Sequence, residues 1–142
     1  MSNTSRPGRG WFLAATILMG LTGVAHTLGQ FGADPPQLQP ALDAMRSGTL
    51  AMGMGMTPSI YDVFSDLAFT MSVTFFALTA MNLLLIYSVD ATTRLRRTAA
   101  GITLIWLGAF IGLAYLYRVP PPLISALVIW PLFLVAYIKS KD

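Results

Sequence analysis

The sequence predicts an all-α membrane protein: an antiparallel four-transmembrane-helix bundle with both termini cytoplasmic. Three observations predict it. Apolar residues make up 55% of the 142-residue chain and charged residues only 11%, too few to cover a soluble domain. Apolar runs of roughly 20 residues, the length that crosses hydrocarbon, recur along the chain. Basic residues sit just outside those runs and favour one side. Helices are the expected form of each run, because lipid cannot satisfy free backbone groups.

The first helix is predicted over 11–29, interrupted only by His26. Arg6 and Arg9 before it, and Gly23-Val24-Ala25 within it, outline a signal peptide with a cleavage site. The apolar run is long for such a signal, so the segment is read as a retained span. Residues 31–58 form the one long connection, an outer loop. It opens on GADPPQLQP, where Pro40 suits the first turn of a short helix over Ala41–Arg46. Leu38, Leu42 and Met45 would share one face of it. The following SGTLAMGMGMTPS is rich in glycine and is expected to hold little regular structure.

The second helix is predicted over 60–88, with no charge between Asp66 and Asp90. The third is predicted over 99–117 and the fourth over 123–138. Between them, Pro120, Pro121 and Pro122 are expected to form an extended turn, since proline cannot continue a helix. Pro131 is expected to kink the fourth helix. One domain, residues 1–142, is predicted, with no internal repeat.

Orientation follows from lysine and arginine. Arg6, Arg9, Arg94, Arg96, Arg97, Lys139 and Lys141 share one side, against Arg46 and Arg118 on the other. That bias places the first side in the cytoplasm. The basic residues serve topology, so no nucleic acid is expected as a partner. Small residues mark helix contacts in lipid, where close backbone approach matters most. Gly108 and Gly112 form a GxxxG in the third helix, and Gly20 and Gly23 lie in the first; such faces serve packing inside the bundle first, and dimerisation as the alternative.

The topology gathers an outer polar constellation: His26, Gln30, Asp62, Asp66 and Arg118. Ser59 and Asp62 have the spacing of a capping box, with Ser59 as the cap. Asp66 lies one turn deeper. There it faces either the headgroups or an inward site, where a His26–Asp66 pair tied to Arg118 would be a candidate. Asp62, Asp66, Thr70 and Thr74 repeat every four residues and so form a stripe down one face. Asn82 is nearly opposite that stripe and is read as a separate interhelical contact.

Several chemistries are excluded. No cysteine is present, so there are no disulfides or thiolate sites. There is no HExxH, GxSxG, P-loop or dinucleotide fingerprint. A single histidine cannot supply bis-histidine haem ligation, and the spacing of His26 and the aspartates does not support zinc. No cofactor or metal centre is therefore expected.

Three features together resemble an uncharacterised group of small bacterial four-helix integral membrane proteins: GVAHTLG in the first helix, the long outer loop, and SIYDVFSD opening the second. The resemblance implies a four-helix bundle in a bacterial inner membrane and carries no activity. The leading functional expectation is a non-catalytic accessory, scaffold or binding subunit of a membrane assembly. Its partners would be the bilayer and either other membrane subunits or a second copy. The first alternative is a small membrane enzyme or permease-like protein using His26, Asp62 and Asp66. The second is Cu(I) binding by Met52, Met54 and Met56, with Met45 nearby and His26 as a further ligand, since thioethers are soft donors.

Overall fold

The computed structural model describes residues 8–88, 92–116 and 120–140. It is all-helical, 83% helix, with no strand among the described residues. The α-helices, with one 3₁₀ turn (Pro36–Leu38) before the second, are α1 (Arg9–Gln30), α2 (Gln39–Ser47), α3 (Ile60–Tyr87), α4 (Thr93–Leu116) and α5 (Pro120–Lys139). Helices α1, α3 and α4 are long and apolar enough to cross a membrane, while the apolar stretch of α5, Leu123–Lys139, is shorter.

Local chemistry sets the helix ends. The α4 helix begins six residues before its apolar run, because Thr92 caps it. The Thr92 Oγ1 accepts from Leu95 N–H at 3.2 Å and its carbonyl accepts from Arg96 N–H at 3.2 Å. Arg94 and Arg97 thus stand on the first turns rather than on a loop. The prolines 120–122 do not make an extended turn. They form the first turn of α5, where the missing N–H groups would have no intrahelical acceptor anyway. Pro131 lies inside the same helix. In α2, proline again occupies the first turn, and the helix runs from Gln39 to Ser47.

Contacts divide the chain into two compact units, Met1–Thr22 with Phe75–Asp142, and Gly23–Thr74. We call them the core unit and the clasp unit. Both α1 and α3 run from one unit into the other.

The core unit holds nearly all the buried residues. Phe12 of α1 meets Phe133 of α5 edge to face, with centroids 5.7 Å apart. Phe75 of α3 meets Trp106 and Phe110 of α4 in the same way, at 5.2 and 6.0 Å. Both geometries suit the ring quadrupole. Leu107, Ile129 and Met19 fill the remainder and are fully buried. Close approach is made by glycine. A Cβ on Gly20 would lie 3.0 Å from Thr79 Cγ2, so α1 rests directly on that threonine.

The α4–α5 seam uses one glycine of the GxxxG pair. A Cβ on Gly108 would lie 3.7 Å from Trp130 Nε1, and one on Gly101 3.4 Å from the Tyr137 ring, but one on Gly112 would meet nothing within 4 Å. The glycine that shares the seam with Gly108 is therefore Gly101, two turns earlier. Seven residues return to the same face, and Trp130 and Tyr137 are seven apart on the antiparallel partner. Trp130 Nε1 also donates to the Leu104 carbonyl at 3.3 Å, and Arg97 lies 4.8 Å over the Tyr137 ring.

The clasp unit is built differently. Among its described residues only Gly23 and Ser72 are buried. Polar contacts, short backbone pairings and one tilted ring pair, Phe31 with Phe69 at 5.8 Å between centroids, hold it. The glycine-rich stretch is more regular than expected. Ile60 N–H donates to Gly48 O at 2.9 Å, Leu50 N–H to Pro58 O at 3.0 Å, and Met52 N–H to Met56 O at 3.1 Å. With the antiparallel bridge Thr49–Ser59, these make a two-limbed hairpin. Its tip is a turn closed by Met56 N–H to Gly53 O at 3.0 Å, with Met54 at φ 48° and Gly55 at φ 78°. Positive φ at both central positions marks the type I′ turn that suits a hairpin's twist. Glycine accepts that conformation freely, whereas at Met54 it costs roughly 1 kcal/mol.

Candidate functional site

The start of α3 is a reciprocal cap. Asp62 N–H donates to Ser59 Oγ at 3.0 Å, while Ser59 N–H donates to Asp62 Oδ2 at 3.0 Å. The Ser59 hydroxyl also donates to Asp62 Oδ2, at 2.7 Å. These are the bonds of a capping box, with aspartate in the glutamate role. The carboxylate is committed to the helix start, where it also opposes the positive end of the dipole.

Among the described residues, the other candidates form no hydrogen bond or ion pair with one another. His26 is half-buried, and its Nε2 lies 3.2 Å from the Ala68 carbonyl of α3. A carbonyl only accepts, so this bond requires the proton on Nε2. The contact fastens α1 to α3 through backbone, a use of polar side chains common between membrane helices. Asp66 is exposed and makes no hydrogen bond or ion pair among the described residues. The histidine thus meets the carbonyl two residues beyond Asp66, and not its carboxylate. Gln30 is half-buried at the last position of α1. Arg118 lies outside the described residues.

The four-residue stripe runs down an outward face. Asp62, Asp66 and Thr70 are exposed and Thr74 is half-buried. Thr74 Oγ1 donates to the Thr70 carbonyl at 2.8 Å, so that hydroxyl is satisfied within its own helix. Leu67 and Val73 are exposed beside the stripe.

Two polar nodes were not read from the sequence as sites. The first centres on Arg46, at the end of α2. Its guanidinium lies 4.7 Å over the Tyr61 ring, 3.3 Å from Asp43 and 3.8 Å from Asp34. Tyr61 first, and Asp43 after it, hold the Arg46 pKa above its ordinary value, which keeps the node cationic. This ties α2 and the segment before it to the first turn of α3. The Asp43–Arg46 spacing is a legible helix pair. The Tyr61 contact joins residues fifteen apart through the hairpin, and no local pattern announces it.

The second node is in the core unit. Asn82 is fully buried and its Nδ2 donates to Thr103 Oγ1 of α4 at 3.5 Å. Asn82 Oδ1 and Thr79 Oγ1, one turn apart on α3, have no hydrogen-bond partner among the described residues. Thr79 is unusual in this, because the buried hydroxyls of Thr16 and Thr103 each bond the carbonyl four residues back, at 2.7 and 2.9 Å. A polar residue inside a long apolar run was the available signal for Asn82. Its partner followed only from the helix register.

Among the described residues, no group of three His, Asp or Glu side chains is placed to hold a metal ion. No protein-family model, curated protein or solved structure matches the chain.

Proposed function

We propose that the protein is a non-catalytic accessory or scaffold subunit of a membrane assembly. In this reading it is a four-span antiparallel bundle in a bacterial inner membrane, with both termini cytoplasmic. The observation that carries it is the outward stripe of α3. Asp66 and Thr70 stand exposed on a helix long and apolar enough to span. Ionisable side chains on spanning helices are normally faced by protein or a water-filled cavity rather than by lipid. Among its described residues this chain offers Asp66 no such cover. A second polypeptide, carrying a basic or hydrogen-bond-donating side chain, is what would supply it. Exposed Leu67 and Val73 give that partner an apolar surface on either side.

Inside-facing termini are supported by the seven basic residues on one set of helix ends against two on the other. For α5, the 17 residues of Leu123–Lys139 rise about 26 Å at 1.5 Å each, near the lower limit for a span. Lys139 at its end can snorkel to the interface.

The test is site-specific photo-crosslinking from position 70 in native membranes. The expected product is a protein adduct of discrete mass, lost on Asp66→Leu. Adducts to lipid alone would overturn the reading. A single cysteine at position 46, in a chain that has none, should be labelled by an impermeant reagent from outside. Labelling only after the cytoplasmic side is opened would reverse the topology.

A further inference from the structure

The clasp hairpin carries three methionines in five residues, Met52-Gly-Met-Gly-Met56. A methionine is ordinarily a packing residue, filling gaps in a core. These three fill none. Met52 is 57% exposed, Met54 93% and Met56 51%, and together they form the tip of the hairpin. The backbone brings the outer two opposite one another, through the 3.1 Å bond from Met52 N–H to Met56 O. The I′-type turn sets the third between them at the apex.

The choice of residue at the apex is informative. Met54 sits at positive φ, where glycine or asparagine is the easy solution, and glycines stand on both sides of it. The turn would close without any side chain there. Retaining a long thioether at the strained position, with no apolar partner, puts the sulfur itself in question.

The donor set is equally selective. From Gly48 to Ile60 the hairpin has no histidine, cysteine, aspartate or glutamate. The acidic residue nearest to it in sequence, Asp62, is engaged by Ser59. Thioethers alone suit soft monovalent ions and offer little to zinc, calcium, magnesium or Cu(II). His26 is not needed in the set, since its Nε2 is already occupied by the Ala68 carbonyl.

We propose that Met52, Met54 and Met56 form an all-thioether site for Cu(I), with Ag(I) as its mimic. The ion binds already reduced, so no electron or proton is transferred. The inference is independent of the assembly role: the photo-crosslink tests α3, and the metal test concerns only the hairpin.

The experiment is a Cu(I) titration of the purified full-length protein in detergent, anaerobically and under reductant, against a chromogenic Cu(I) chelator. One equivalent should bind tightly, and Zn(II) in excess should not displace it. The triple variant M52L/M54L/M56L keeps an apolar tip and should lose the site. Met54→Gly relaxes the turn but removes one sulfur. It should weaken binding by at least the roughly 10–100-fold typical of losing an outer-sphere contact. Circular dichroism and size-exclusion profiles of both variants check that the fold is retained. Equal Cu(I) affinity in wild type and triple variant would overturn the proposal, because the five other methionines would then account for the binding. So would failure of the wild type to compete with the chelator, which would leave the tip as an apolar surface only.

Discussion

The core unit and the clasp unit are parts of the same two long helices, yet they are stabilised by opposite means. In the core unit, aromatic side chains interlock and glycines let side chains of a facing helix close on the backbone. In the clasp unit almost nothing is buried. There a capping box, an arginine node and a narrow hairpin hold a connection in place. The difference teaches where change is tolerated. Packing energy sums over many contacts and is lost when volume is removed. Exposed polar contacts contribute little individually and fix geometry more than stability.

The sharpest way to break the contrast is to empty the core. Phe133→Ala removes a fully buried ring and its edge contact with Phe12, and should cost about 3–5 kcal/mol in detergent unfolding. Overpacking should cost less. Gly20→Leu drives a side chain into Thr79 and should cost roughly 1–3 kcal/mol, measured the same way. In the clasp unit, Ser59→Ala removes the cap of α3 and should cost about 1 kcal/mol, with faster amide exchange confined to the first turn of that helix. The smallest global effect is expected from Arg46→Met. Its unfolding midpoint should match wild type, while exchange rises across residues 48–60. If Arg46→Met unfolds the protein as readily as Phe133→Ala, the two units are not stabilised differently.

Much of the core unit is legible in the sequence because one strong signal, the long apolar run, survives any tertiary arrangement. Its boundaries are less legible. The start of α4 is displaced because Thr92 caps a helix that hydropathy cannot see, extending it through charged residues. The prolines that open α5 mislead when read as breakers, since their effect reverses in a first turn. The GxxxG spacing marks a contact face without naming what it meets, and in the α4–α5 seam Gly108 stands with Gly101. Only the positions of Trp130 and Tyr137 on the facing helix select Gly101. The contact that His26 makes was not legible in the sequence. The sequence suggests that His26 faces the start of α3, yet which atom of α3 meets the imidazole depends on helix rotation, and the Ala68 carbonyl carries no letter in the sequence.

Thr16, Thr22, Thr27, Ser72, Thr74 and Thr103 all return their hydroxyl hydrogens to the carbonyl four residues back. Each group therefore carries its own partner wherever the helix goes. To the machinery that moves a nascent segment sideways into lipid, such a helix is oilier than its composition. The chain can be threaded into a bilayer one helix at a time, before any neighbour exists to satisfy it. Thr79 Oγ1 and Asn82 Oδ1 are, among the described residues, buried polar atoms of α3 that do not arrive so provided, and that helix has much to gain from finding company.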